Sequence, residues 1–318
     1  MSIITFKPLY QERVWGGRDL ENRLGRKLPE GIIGESWEIV DRPEAESVIQ
    51  SGDWKGLTLQ QALEHDSDAI MGPHWPKNKR FPLLIKWLDC KERLSLQVHP
   101  PASIASELGG EPKTEHWYIA AAQPTAGLIV GLKKGATKES FNNAIKNNTL
   151  EELVHRVPAK QGDSIFVPSG RIHAIDGGNL ILEIQQNSDT TYRVYDWARV
   201  GLDGKPRTLH IKESLASIDF EDFEPPLTHP TPGEQLLTDC QDFRIRKLDL
   251  NAQSPSLLFS AQTGPHIISI IEGSLEEKST NTLLEKGLNV LLPFQESFEY
   301  KTAEDTILLV TDQFTPKA

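Results

Sequence analysis

The sequence predicts a mainly β protein: a sandwich or barrel of antiparallel strands with a few helical excursions, followed by a second, smaller β domain. Three observations predict it. Short apolar or alternating runs, rich in β-branched and aromatic residues, recur along the chain between Gly, Pro and Asn/Asp turns. Helical periodicity is confined to two stretches. A proline-rich interruption at 221–235 precedes a C-terminal stretch that reads as pure β.

The strand candidates are, in order, 81–89, 94–100, 116–122, 125–132, 163–168, 179–186, 190–197, 243–250, 266–274, 289–294 and 305–312. The first helical stretch, 57–72, carries apolar residues at 59, 62 and 63 and again at 69–71, after a Thr58 cap. The second, 137–154, opens on Thr137 and Ser140 and sets Phe141, Ala144 and Ile145 on one stripe. A further short helix after Asn148 would use Leu150, Leu153 and Val154. The interruption EDFEPPLTHPTPGEQ holds four prolines and few apolar residues, as a linker would, and divides the chain into domains at 1–225 and 226–318. An internal echo joins the two. KQGDSIFVPSGRIH (160–173) and KGLNVLLPFQE (286–296) each run from Gly through an apolar strand to a Pro six residues on, and only the first continues to a histidine. A duplicated barrel with one metal-free copy would give this pattern, and so would two unrelated hairpins.

The bulk properties bound the function. Of 318 residues, 38% are apolar and 25% charged, in the range of soluble globular proteins. No run approaches the roughly 20 apolar residues that span a bilayer, and the N-terminus lacks a signal-peptide profile. The net charge of −11 argues against nucleic-acid or anionic-membrane binding. Cys90 and Cys240 form neither a disulfide framework nor a paired metal spacing, and a reducing cytoplasm is the simplest location.

The candidate chemistry begins at Gln97-Val98-His99. Residues i and i+2 of a strand share a face, so Gln97 and His99 project together while Val98 points to the opposite layer. The pair suits one metal ion, and equally a strand-end histidine capped by a neighbour. Lys113 and Glu115 share a face in the same way, and an inward carboxylate needs a partner or a metal. His116 falls on the other face. The run Gly162 to His173 ends a buried strand in a Pro-Ser-Gly turn and re-enters with a histidine. It resembles the cupin motif G-D-x-x-x-x-P-x-G-x-x-H, and Gln97 to Glu115 resembles the first cupin motif. The fold implied is a cupin (jelly-roll) barrel with a smaller cupin-like domain behind it. A donor set of imidazole and oxygen without thiolate suits zinc first, with iron or manganese also compatible.

A closer resemblance lies in LSLQVHP, KTEHWY, VPSGRIHAI and LEIQQNSDTTYRVYDWAR, joined by YQERVWGGRDL and GESWEIVD near the N-terminus. Together these resemble the short bacterial type I mannose-6-phosphate isomerases, over about residues 5–215. The resemblance implies Zn2+, one per subunit, on Gln97, His99, Glu115 and His173. It also implies active-site roles for Lys113, Glu183 and Arg193. The family's tyrosine two residues past the last ligand is Ile175 here, so no role carries over to it. The implied reaction interconverts mannose 6-phosphate and fructose 6-phosphate through a cis-enediol(ate). In a chain of charge −11, Lys113 and Arg193 are the phosphate candidates. Lys86 either faces inward beside them or is an ordinary exposed strand lysine, and Arg13 and Trp15 line the rim or pack. Glu183 or Lys113 would move the proton. The competing reading is a non-catalytic or otherwise-specific sugar-binding metal cupin. The expected partner is a small sugar phosphate, with the protein a monomer or homodimer.

Overall fold

Alternation of inward and outward side chains explains most of the architecture. In the computed structural model, which describes residues 2–315, one compact unit comprises Tyr10–Ser36 and Lys86–His229. Its two sheets run in the order Val154–Pro158, Gly127–Leu132, His173–Ile175, Leu96–Val98, Tyr192–Tyr195, and in the order Ser164–Val167, Glu115–Ala122, Asn179–Gln186, then the parts of Leu83–Cys90, Ile33–Ile39 and Leu9–Gly17 that fall in this unit. Between them lies a core that includes Trp15, Leu88, Trp117, Ile119, Val130 and Ile181. The outer face of the first sheet carries Leu96, Val98, Ala174, Tyr192 and Val194, and packs on Phe141, Ala144 and Leu150. This is the mainly β, cupin-type fold expected, with both faces of one sheet buried.

Among the described residues, the second unit takes 2–9, Trp37–Ile85 and 230–315. One sheet runs Ile4–Thr5, Asn289–Leu292, His266–Glu272, Thr306–Asp312, Arg244–Leu250, Gln235–Asp239. The other runs Leu257–Phe259, Phe298–Lys301, Ser274–Glu277, Leu283–Glu285. Ile268, Ile270, Leu275, Leu284, Tyr300 and Val310 fill the core of this unit.

The helix Leu59–Met71 starts at Thr58, whose side chain and that of Gln61 form a reciprocal capping box. The helix Lys138–Asn147 starts at Thr137 with the same device using Ser140. The expected helix after Asn148 shrinks to a single 3-10 turn, Leu150–Glu152, and Val154 instead opens a strand. Asn148 takes a left-handed conformation (φ 56°) that ends the preceding helix, and the Glu152 and Leu153 N–H groups then donate to the Thr149 and Leu150 carbonyls, the tighter 3-10 pattern. Two helices lacked a sequence signal long enough to be noticed: Asp19–Leu24 and Ile211–Ser217. In the echo segments, Gly162 (φ 90°) and Gly287 (φ 85°) both turn the chain left-handedly just before a strand.

Candidate active site

Six strands of the first unit direct polar side chains into one place. Gln97 sits between the outward Leu96 and Val98, and pairs in register with His173 on one side and Arg193 on the other. On the facing sheet, Glu115 precedes the inward Trp117 and Ile119, Glu183 follows Ile181, and Lys86 precedes Leu88. The period of two places Gln97, His173, Arg193, Glu115, Glu183 and Lys86 on inner faces. His99 lies just past its strand, and Pro100 and Pro101 follow it.

His99, Glu115 and His173 are fully buried, and each offers a ligand atom within 4.8 Å of the others. The imidazoles are oriented from behind. His99 Nδ1 donates to the Thr190 carbonyl and His173 Nδ1 to the Arg171 carbonyl, both at 2.8 Å. A carbonyl only accepts, so each ring keeps its proton on Nδ1 and presents the Nε2 lone pair to the cluster. Burial, reinforced by the Lys113 charge, holds the His99 pKa down at about 3, and burial also lowers that of His173. Burial alone would raise the Glu115 carboxyl, but the Lys113 ammonium pulls it well below the usual range.

This donor set suits a cation. Glu115 Oε2 is buried and accepts no hydrogen bond. Lys113 Nζ, itself positive, lies 2.7 Å from Glu115 Oε1 and 3.4 Å from His99 Nε2. The Gln97 amide lies 3.2 Å from His173 Nε2, and turning it by half a rotation presents its oxygen at the same point. Neutral imidazoles, a carboxylate and an amide oxygen match what zinc accepts. Among the described residues, no other group of three or more His, Cys, Asp or Glu has this geometry.

A cavity of about 410 Å³ opens beside the cluster, lined among others by Trp15, Lys86, Gln97, Lys113, Glu183 and Arg193. Lys86 is buried, not an exposed strand lysine, and its Nζ lies 2.9 Å from Glu183 Oε1. Trp117 Nε1 donates to the other Glu183 oxygen at 2.8 Å. Burial and the Glu115 charge raise the Glu183 pKa despite Lys86. Burial alone would lower the Lys86 pKa, but Glu183 and Glu35 outweigh it and raise it. Arg193 donates to Ser95 Oγ at 3.3 Å and to the Thr208 carbonyl at 2.9 Å. Every candidate from the sequence therefore meets at the cluster or its cavity. His116 does not; it is buried elsewhere, and burial holds its pKa at about 3.

Arg13, expected at the rim or in packing, lines the cavity. The sequence reading missed other lining residues. Glu35 lines the cavity too and forms a two-point ion pair with Arg13, both contacts 3.1 Å. Arg207 and His210 come from an irregular segment with no periodicity to read.

Fold and site together define a metal-binding enzyme of the cupin type, with a buried His/Glu/His cluster beside a cavity that holds both cations and carboxylates. Residues 3–118 match the model of the phosphomannose isomerase type I catalytic domain. The chain is 40% identical to mannose-6-phosphate isomerase ManA of Bacillus subtilis, over 92% of this chain and 93% of that one. A crystal structure of the Bacillus subtilis mannose 6-phosphate isomerase superposes with TM-score 0.84 at 32% identity, over 98% of this chain and 99% of that one. A zinc-bound mannose 6-phosphate isomerase shares the fold at 16% identity, with TM-score 0.74 over 97% of this chain and 99% of that one. The chain belongs to the type I phosphomannose isomerase family.

Proposed function

We propose that this protein is a metal-dependent aldose–ketose isomerase that interconverts mannose 6-phosphate and fructose 6-phosphate by proton transfer through a cis-enediol(ate). The observation that carries the reading is the convergence of two imidazole lone pairs and an unsatisfied carboxylate beside a cavity that also holds Lys86, Glu183 and Arg193. Zn2+, one per subunit, is the metal assigned, held by Gln97, His99, Glu115 and His173. When bound it supplies a Lewis acid for the sugar oxygens at the reacting carbons.

The remaining work falls to the chain. Glu183 takes and returns the proton between C2 and C1, because burial raises its pKa above the ordinary carboxylate value. Lys86, held on Glu183, offers an ammonium to the developing oxyanion. Lys113 is tied to Glu115 and contributes positive charge at the edge of the cavity. Arg193 grips the phosphate, and Trp15 forms an apolar wall. Catalysis is assigned to residues 1–225 and no metal site to 226–318. We also propose a cytoplasmic place in carbohydrate metabolism, with the protein acting as a monomer or homodimer.

A coupled assay tests this. Mannose 6-phosphate should be converted, chelation should abolish turnover, and added Zn2+ should restore it. Turnover that survives complete chelation would remove the metal from the reaction.

A further inference from the structure

His210 lies outside the sequence motifs that pointed to this site, yet it is bonded twice to Arg193. Its backbone N–H donates to the Arg193 carbonyl at 2.8 Å. Its ring Nδ1 accepts the Arg193 backbone N–H at 3.2 Å. A backbone N–H can only donate, so Nδ1 must hold its lone pair, and the proton of the neutral ring sits on Nε2. Among the described residues Nε2 has no hydrogen-bond partner, while His210 lines the same cavity as Arg193 and Arg207.

The surroundings of this edge are cationic. Arg207 is fastened by two bonds to Asp196, which also holds Arg199. Burial and then the Arg207 charge lower the Arg193 pKa, with Arg199 adding to the effect, so the cluster bears positive charge that a dianion would relieve. The carboxylates Glu35, Glu183 and Asp189 also line the cavity; Glu35 and Glu183 are engaged by Arg13 and by Lys86, which leaves Asp189 against the charges of Arg193 and Arg207. A phosphate approaching Arg193 and Arg207 would meet an imidazole N–H already turned away from the backbone.

We propose that His210 is a substrate-binding residue: its Nε2–H donates to the phosphate of the sugar phosphate, alongside Arg193 and Arg207. The proposal rests on the isomerase reading for the identity of the substrate, and on the tautomer and cavity geometry for the contact itself. Such a donor acts on the part of the substrate that does not react. Its loss should therefore appear in KM and leave kcat nearly intact.

Two substitutions separate this role from simple support of Arg193. His210→Asn keeps an oxygen where Nδ1 accepts but deletes the Nε2 donor. His210→Gln places an amide N–H near Nε2 but deletes the acceptor. His210→Asn should raise KM for mannose 6-phosphate about tenfold with kcat within about threefold, and weaken competitive inhibition by inorganic phosphate by a similar factor. His210→Gln should recover most of the loss. Unchanged KM and phosphate inhibition in His210→Asn would overturn the proposal. So would a loss confined to kcat, or a His210→Gln variant as impaired as His210→Asn. If His210→Asn does not fold, His210→Gln decides: phosphate affinity within about twofold of wild type supports the donor, and a tenfold loss overturns it. If the wild-type protein does not turn over mannose 6-phosphate, the isomerase reading falls on its own. Calorimetric titration with inorganic phosphate then tests His210 separately: weaker binding in His210→Asn supports the contact, and equal binding overturns it.

Discussion

Glu183 is the residue proposed to carry the proton, and its environment suits that role. A carboxylate in water is a poor base for carbon acids, since it is too weakly basic near neutral pH. Here burial pushes its pKa upward, while Lys86 at 2.9 Å keeps the ionised form accessible. Removing the ionisable group should remove most of the chemical step. Glu183→Gln is expected to lower kcat by roughly a hundredfold or more, with bound zinc measured by elemental analysis unchanged. The pH profile carries the same information. The base is active when deprotonated, so kcat should fall as pH drops through the Glu183 pKa, and that acid limb should lie above the ordinary carboxylate value of 4.5. Full activity in Glu183→Gln would move the proton transfer to another group. At this scale the sequence was informative about identity and silent about state. The i, i+2 spacing of Gln97 with His99 and of Lys113 with Glu115 was legible. That Lys86 is buried against Glu183 was not, because a strand buried on both faces has no polar side by which to tell inward from outward.

Secondary-structure elements explain why these side chains stay in place. The central strands were legible because alternating or continuous apolar runs end in Gly or Pro. The strands Leu9–Gly17 and Ile33–Ile39 were less so, since glycines and charged residues interrupt both. Their glycines are structural. A Cβ at Gly16 would sit 2.5 Å from the backbone of Ile33 and Gly34, and one at Gly34 would sit 2.5 Å from Arg13 Cβ. The two strands thus approach more closely than side chains allow, and this sets Trp15 and Glu35 at the cavity wall. Gly16→Ala should force them apart. A loss of about 1–3 kcal/mol in denaturant unfolding is expected, together with a raised KM, because the neighbouring Trp15 lines the cavity. Unchanged stability and KM would show that the close approach is dispensable. The short helices Asp19–Leu24 and Ile211–Ser217 were missed for a related reason: six or seven residues give fewer than two full periods of 3.6 to detect.

Across the whole molecule, a net charge of −11 is combined with a site that collects an anionic substrate and a cation. The sequence showed the charge but not its distribution, because Arg13, Lys86 and Arg193 are brought together by strands far apart in the chain, and Lys113 and Arg207 join them from segments outside the strands. The same distribution makes the metal a contributor to folding. Without it, two imidazole lone pairs and a carboxylate are buried together with Lys113 as their nearest cation. A ligand that binds the folded chain alone adds stability of RT ln(1 + [L]/Kd), about 4 kcal/mol at a thousandfold excess over Kd. For a domain of this size each kcal/mol raises the melting temperature by roughly 2–4 °C. Zinc added to metal-stripped protein should therefore raise the melting temperature by about 10 °C, and the same addition to His173→Ala should raise it far less. A His173→Ala protein that gains the full shift would show that the stabilising zinc sits elsewhere, and would remove His173 from the ligand set.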